Sequence, residues 1–521
     1  MGGVAIPYDE GELIRLRRLK ALRLPPAGER RSSHADLNTA STTLAREVER
    51  RGPGGEGLSG LKVLRDGKDA FAARVLLARS AERTIDVQYY IWHDDLSGSL
   101  LLDELEAAAS RGVRVRLIVD DVGTARLDAR LACLAASPNI EVRLYNPCVI
   151  RWPKALNYVF DFTRLNRRMH AKSFTVDSQA TILGGRNVGD EYFAARRKGL
   201  FADVDVLAVG AVVPLVSQAF DRYWNGPDVR PIEALVRPVS ASRRRLVERA
   251  ALALTQGERA ERYRDAVRSR KLFGEMIDGT LTMTWAPVTL VNHDYAVDGD
   301  RGSATGLADL MPRGLGAAET RLDVIAGYFV PTATGTGDLA ALAERGVAVR
   351  VLTNSYAATD VGLVHAGYTP WRAALLKAGV RLFEMPAPDD KPKTARKFVR
   401  PGSIGSRSMR EDGRTLHAKT VSMDGRRVYI GSANLDPRSA HLNTEMGLLV
   451  ESPALAEEIG RWFTCEIIPN SYRLSLSATG KVQWIDERDD DPEPEQVEPG
   501  TSLFSRLLIR LLARLPIERF L

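Results

Sequence analysis

Cysteine, histidine and long apolar runs are all scarce in this 521-residue chain. Its three cysteines, Cys133, Cys148 and Cys465, form no CxxC pair and are odd in number. That excludes a zinc-ribbon pattern and a paired disulfide scaffold, and fits a reducing compartment. No stretch of about 18 uncharged apolar residues occurs, so no spanning helix is expected. Residues 201–216 come closest but carry Asp203 and Asp205. The N-terminus sets Arg15, Arg17, Arg18, Lys20 and Arg23 among leucines, without the apolar core and small-residue cleavage site of a secretory signal. Charge of one sign is also limited: 73 Lys and Arg against 66 Asp and Glu, a net +7. Such an excess permits an anionic partner, lipid or nucleic acid, and requires neither. With only seven histidines, any that recurs in a pattern is informative.

What is present is the balance of a folded protein, 44% apolar and 27% charged. A prior of about 150 residues per domain suggests three or four domains. Strand patterns at Thr84–Trp92, Val113–Val119 and Ile140–Tyr145 alternate with helical patterns at Ala70–Arg79 and Leu100–Ser110, as in βαβ units. The same order returns at Arg321–Val330, after Arg345-Gly346-Val347, and at Val380–Phe383, offset by 237, 234 and 238 residues. A repeat this long implies a duplicated domain. The expected organisation is a basic N-terminal segment (1–55, ending in Gly52-Pro53-Gly54-Gly55), a first lobe (56–235), a helical connection (236–280) and a second lobe (281–470). A flexible acidic linker and C-terminal helix (471–521) would follow.

Inside the repeat lies the chemistry. Residues 170–187 read HAKSFTVDSQATILGGRN and residues 417–434 read HAKTVSMDGRRVYIGSAN. Each has His, Lys two later, Asp seven later, Gly fourteen later and Asn seventeen later. Alternation along a strand puts His and Lys on one face. These residue types suit phosphoryl transfer: imidazole can attack phosphorus, Lys can neutralise non-bridging oxygens, Asn can donate to them, and a second His can shuttle the proton. One motif supplies one His; the duplication supplies both roles if the lobes face each other.

The two segments resemble the paired HxKxxxxD motif of the phospholipase D superfamily. The segments at 85–95, 111–121, 161–177, 184–193, 364–384 and 499–521 are similar to bacterial cardiolipin synthases of the C type, and the similarity runs from about residue 56 to the C-terminus. The resemblance implies an α/β fold of two homologous lobes, each a mostly parallel mixed sheet flanked by helices, packed with pseudo-two-fold symmetry around one active site. It implies that His170, Lys172, Asp177, His417, Lys419 and Asp424 form the catalytic set, one histidine as nucleophile and the other as general acid/base, with His170 favoured as nucleophile. The two lysines with Asn187 and Asn434 would hold phosphate. Carboxylates orient the histidines in the family; Glu445 matches in the second lobe and Asp203 is the candidate in the first. His365 and Tyr368 are candidates for a substrate entrance. Asp177 and Asp424 are equally readable as structural turns. His34, His93, His293 and His441 have no repeated partner and read as structural. Asp120 and Asp121 end a strand, where active-site carboxylates can sit, but do not make a metal site. No metal or other cofactor is implied. The loop 290–299 departs from the branch, with Tyr295 and Ala296 after Asp294, which leaves a substrate contact there open.

Residues 503–515 place Arg506, Arg510 and Arg514 on one stripe of a leucine-rich helix ended by Pro516, the pattern of a basic amphipathic helix in a membrane interface. Leu13–Leu24 is a weaker second candidate. The expected activity is phosphatidyl transfer to phosphatidylglycerol, giving cardiolipin, with phosphatidylethanolamine as a further candidate substrate, by a protein associated peripherally with the cytoplasmic side of the inner membrane. A hydrolytic phospholipase D and a phosphodiesterase or nuclease of the same superfamily are the rivals; nucleic acid is the less favoured partner, and the sequence is silent on an accessory protein.

Overall fold

The computed structural model describes residues 32–53, 57–196, 200–293, 317–387, 415–489, 491 and 493–514. The first lobe contains β1 (Leu58–Leu64), β2 (Thr84–Tyr89), β3 (Arg114–Asp120), β4 (Ile140–Tyr145), β5 (Arg168–Met169), β6 (Ser173–Val176), β7 (Ala180–Gly184), β8 (Phe201–Ala202), β9 (Asp205–Gly210) and β10 (Val229–Pro231). β11 (Thr284–His293) leads into the second lobe, with β12 (Arg321–Ala326), β13 (Ala348–Asn354), β14 (Arg381–Met385), β15 (Thr415–Leu416), β16 (Lys419–Met423), β17 (Arg427–Gly431) and β18 (Asn443–Glu451). β19 (Tyr472–Leu476) and β20 (Val482–Asp486) follow.

Each lobe repeats one topology. β2, β3 and β4 pair in parallel, and β6, β7, β9 and β1 continue from β2 in antiparallel order. In the second lobe β12, β13 and β14 are parallel, and β16, β17 and β18 continue antiparallel from β12. β11 joins the two sheets: Thr284–Pro287 pair with β1 and Val288–His293 pair with β18.

Strand alternation explains how the lobes meet. Ile182, Leu207 and Val209 point into the helical side of the first lobe, whereas Leu183, Val206 and Ala208 point the other way. The second set shares a core with Ile325, Leu352, Val428, Ile430, Leu448 and Val450 of the second lobe. Both sheets are thus buried on both faces, by helices outside and by each other inside, which accounts for their continuous apolar runs.

The duplication extends to buried charge. Arg116 makes two bonds to Asp86, at 2.7 and 2.8 Å, and Arg350 makes two to Asp323, at 2.6 and 2.8 Å. In both lobes the Arg of the second parallel strand neutralises an Asp of the first, and each guanidinium lies over an aromatic ring, Phe220 or Phe463.

Two expected boundaries change. The connection 236–280 is helical, at Ala241–Thr255, Glu258–Arg268 and Lys271–Ile277, but Ala260, Tyr263, Val267 and Leu272 belong to the first lobe's core. The acidic linker is not free chain. β19 and β20 extend the second sheet beyond β14. Glu495 then bridges to Trp484, and the Glu498 carboxylate is buried against Arg372 and His365, at 2.7 and 2.6 Å. The low apolar content of 486–499 suggested disorder; one buried ion pair and a β-bridge dock it instead.

Candidate active site

Each motif is a β-hairpin hung from its lobe's first parallel strand. β6 pairs with β2 and β16 with β12, so His170 and His417 stand just before strands whose register is set by the core. The motif glycines fit close backbone approach. Gly184 has φ +155°, and a Cβ there would sit 2.5 Å from the Asp205 carboxylate and the Val204 carbonyl oxygen. A Cβ on Gly431 would come within 2.7 Å of the Gly447 backbone.

The lobes exchange contacts at both histidines. β5, which leads into His170, pairs in parallel with the start of β18 of the other lobe. β15, which leads into His417, pairs in parallel with β8. The backbone N–H of His170 donates to Thr444 at 3.0 Å, and that of His417 to Ala202 at 2.8 Å. The orienting carboxylates therefore cross over. His170 Nδ1 bonds Glu445, 2.9 Å to Oε2, and His417 Nδ1 bonds Asp203 Oδ2 at 2.6 Å. Each lobe's histidine is held by the other lobe's carboxylate, and neither half-site is complete alone. With Nδ1 engaged as donor, Nε2 of each ring carries the lone pair.

The electrostatics are set by burial. It holds His170 well below the ordinary imidazole range, helped by the charges of Lys172 and Lys419, and takes His417 down to about 4. Both rings are neutral near pH 7. Burial also lowers Lys172 to about 7 and lowers Lys419. Each ammonium donates to the carbonyl oxygen of its own motif histidine. Each also lies over a tyrosine ring, Lys172 5.5 Å from Tyr90 and Lys419 5.8 Å from Tyr328. Two lysines from opposite lobes whose charge burial disfavours make a site that gains from a bound phosphodiester anion, which stabilises that charge.

The two carboxylates differ. Burial raises Glu445 to about 7 despite hydrogen bonds from Ser432 and Ser439. Asp203 is lowered: burial opposes its charge, but His417, Lys419 and Arg186 outweigh it. The surroundings differ too. Tyr192, Phe201 and Tyr328 ring His417, with centroids 5.4, 5.1 and 6.2 Å away, while Tyr90 stands 5.2 Å from His170.

Not every expected residue joins this cluster. Asp177 and Asp424, expected in the catalytic set, lie at the far end of β6 and β16, seven residues or roughly 20 Å of extended chain from the histidines. Both have positive φ, 50° and 54°. Asp177 accepts from the backbone N–H groups of Glu82, Arg83 and Thr84, and Asp424 from those of Glu319, Thr320 and Arg321. They cap the starts of β2 and β12 and touch no reacting group. Asn187 is committed at both ends, accepting from Ile91 N–H at 3.1 Å and donating to the Tyr192 hydroxyl at 3.0 Å. Asn434 Oδ1 is buried without a hydrogen-bond partner.

His365 and Tyr368, expected at an entrance, lie inside the second lobe. His365 is 2% exposed and bound to Glu498, and Tyr368 packs on Phe329. They anchor the C-terminal segment. Asp120 is taken up by Arg168 and the Met169 N–H, and Asp121 by Arg151, Lys154 and the Cys148 N–H. The departing residues 294–299 and Leu13–Leu24 lie outside the described residues. One described cluster, His93, Asp95 and Glu191, brings ligand atoms within 4.8 Å of one another. Its donors are already used: His93 pairs with Glu191 at 2.8 Å, and Asp95 accepts from the N–H groups of Gly98 and Asp190.

Sequence reasoning missed Tyr90, Tyr328, Ser432, Ser439 and Arg438. The tyrosines follow the carboxyl ends of β2 and β12, where α/β folds place function, and that position was the available signal.

Fold and site together define a two-lobed α/β enzyme with a histidine pair at the lobe seam. A family model described as "Cardiolipin synthase, PLD-like domain" matches residues 76–224 and 312–466, one stretch per lobe, and the chain belongs to that phospholipase D-like family. It is 42% identical to a protein named cardiolipin synthase C of Escherichia coli (strain K12), over 89% of this chain and 96% of that one. It is 23% identical to a cardiolipin synthase of Staphylococcus aureus (strain Mu50), over 82% of this chain and 70% of that one. Its fold is similar to the crystal structure of a phosphatidylserine synthase from Haemophilus influenzae Rd KW20, with a TM-score of 0.55 and 16% identity, over 91% and 98% of the two chains.

Proposed function

We propose that this protein is a phospholipase D-type phosphatidyltransferase that makes cardiolipin, with phosphatidylglycerol as the acceptor. The observation that carries the reading is the crossed pair, His170–Glu445 and His417–Asp203, with Lys172 and Lys419 between the lobes.

In the proposed sequence, Nε2 of His170 attacks the phosphorus of a bound phospholipid. The bond to the head-group alcohol breaks, and His417 gives that alcohol its proton. The phosphatidyl group is then held as a phosphohistidine. A hydroxyl of phosphatidylglycerol next loses its proton to His417 and attacks phosphorus, and the P–N bond breaks. Two in-line displacements give retention at phosphorus. His170 is favoured as nucleophile because His417, paired with the ionised Asp203, is the better proton carrier. The ionised Asp203 supports a transient imidazolium on His417. Lys172 and Lys419 neutralise the phosphoryl oxygens.

The membrane part of the proposal rests on the C-terminal helix, Leu503–Leu512. It is capped by Ser502 and docks on the helix Gly362–Tyr368 through the buried Ser505 and Ile509. Leu503, Phe504, Leu507, Leu508 and Leu511 remain exposed. Among the described residues no helix is long and apolar enough to cross a membrane. On this proposal the exposed apolar face holds the protein peripherally on the inner membrane, and removal of residues 503–521 should reduce liposome binding.

Labelled phosphatidylglycerol, with and without phosphatidylethanolamine and in EDTA, tests the main reading. Cardiolipin as the main product is expected, with phosphatidic acid as the minor one. Phosphatidic acid alone would make the enzyme a hydrolase, and cleavage of DNA with neither lipid product would overturn the lipid assignment.

A further inference from the structure

A second exposed apolar patch lies beside the catalytic seam, in a segment the reaction does not use. Between β4 and β5 the chain leaves the sheet for residues 146–167 and forms three short turns, Lys154–Leu156, Asn157–Phe160 and Phe162–Leu165. Trp152 is 87% exposed and Val159 is 74% exposed; Leu156, Phe160 and Phe162 are exposed as well. Five large apolar side chains within eleven residues of water-facing chain form a patch of the kind that marks a contact surface.

The segment is firmly held from below. Asn157 exchanges hydrogen bonds with both backbone groups of Ile150 and donates to the Lys154 carbonyl oxygen. Asn146 donates to the carbonyl oxygens of Arg164 and Arg167. Arg151 and Lys154 are bound by Asp121 and Asp128. Asn157 turns inward and Arg151 and Lys154 are half-buried, while Trp152, Leu156, Val159, Phe160 and Phe162 face outward, against the normal preference of a water-facing loop.

Its position ties it to the reaction. The segment runs directly into Arg168, Met169 and His170. Asn166 accepts from Arg438, beside the second motif, at 2.8 Å, so its base is stapled across the seam. Tyr158 contacts Phe162, and it lies close enough to Tyr90 to affect its ionisation; Tyr90 packs edge-on against His170.

We infer that residues 150–162 form an interfacial lip that dips into the surface of an anionic lipid bilayer and sets the active-site mouth against it. Three observations favour a bilayer over a protein partner. Arg151, Lys154, Arg164 and Arg168 are paired with Asp121, Asp128, Asp161 and Asp120, and Arg167 is exposed at the base of the segment, where it can meet anionic head groups. Exposed Trp and Phe above basic residues is the composition of membrane-interface anchors. The C-terminal helix offers a corresponding apolar face in the other lobe. It packs on the helix after β13, as the lip follows β4, so both patches lie beyond the carboxyl ends of parallel strands. A flat surface touching both would cover the seam between them. The inference rests on the phospholipid reading of the site.

The test uses the full chain and vesicles of phosphatidylglycerol mixed with brominated phosphatidylcholine, whose bromines quench tryptophan only within the bilayer. The wild type is expected to show a quenched component that is absent in Trp152→Phe. Turnover of vesicle phosphatidylglycerol, divided by turnover of monomeric dihexanoyl phosphatidylglycerol, should fall at least tenfold in Val159→Ser/Phe160→Ser. Equal quenching in wild type and Trp152→Phe, with an unchanged ratio, would overturn the lip, as would lipid-free dimerisation that shields Trp152. Failure of the wild type to turn over even the monomeric lipid would instead overturn the functional reading on which the lip depends.

Discussion

The two copies of the motif match residue for residue at His, Lys, Asp, Gly and Asn, yet their surroundings differ. His170 faces Glu445, which burial raises to about 7, beside one tyrosine. His417 faces Asp203, which stays ionised, inside a ring of three aromatics. Duplication supplied two equal groups, and the neighbours make them unequal. In the proposed mechanism the histidine beside the fixed anion Asp203 carries the proton, which leaves covalent attack to His170. Because the carboxylates are exchanged between lobes, the division exists only in the assembled pair.

The most severe break of this comparison is removal of either ring. His170→Ala and His417→Ala should each lower cardiolipin formation by at least about 10⁴-fold, measured from labelled phosphatidylglycerol. Full activity in either variant would remove the shared site. Rapid denaturation of the wild type during turnover should trap the phosphatidyl group on His170; recovery on His417 would reverse the assignment.

Next come the crossed carboxylates. Asp203→Asn and Glu445→Gln should each reduce kcat by about 10²–10³-fold with little change in KM, because an amide lets the imidazole adopt the wrong tautomer. Asp203→Asn should have the larger effect, since Asp203 is fully ionised near pH 7 whereas burial leaves Glu445 only partly so. Equal effects would erase the asymmetry.

A pH-dependent difference should follow from Glu445. Its folded-state pKa is raised, so its contribution to stability is fully present below about 4.5 and is lost as pH rises through about 7. Glutamine does not titrate. The Tm of the wild type relative to Glu445→Gln should therefore fall across that window in thermal melts; parallel curves would show that Glu445 is not held protonated.

The smallest effects separate the motif aspartates from the site. Asp177→Ala and Asp424→Ala should lower stability by about 1–3 kcal/mol while leaving kcat within a few fold. The buried Asp177 should cost more than the half-exposed Asp424. A loss of kcat without a loss of stability would return them to the catalytic set.

Much of this was legible in the chain. The strands at 84–89, 140–145 and 321–326 announce themselves by apolar continuity, and the repeat offset exposes the duplication. His170, Lys172, His417 and Lys419 stand out because histidine is rare and the spacing recurs. Other features were hidden for identifiable reasons. Asp177 and Asp424 share the motif with the histidines, but strand rise carries them to the opposite end of the sheet. Residues 486–499 read as linker because composition records neither the Glu498–Arg372 pair nor the bridge at Glu495. His365 read as an entrance residue although its partner lies 133 positions away.

The sequence by itself determined the chemistry available: two imidazoles, two ammonium groups and two lobes to carry them, since residue type and local periodicity are properties of the chain. Only the tertiary structure decided which carboxylate holds which histidine. That choice depends on β5 meeting β18 and β8 meeting β15 across the seam, contacts between distant segments that no local pattern encodes. It also decided the charge on each group, because burial and the neighbours it brings, not residue identity, set a lysine near 7 and leave one of two buried carboxylates ionised.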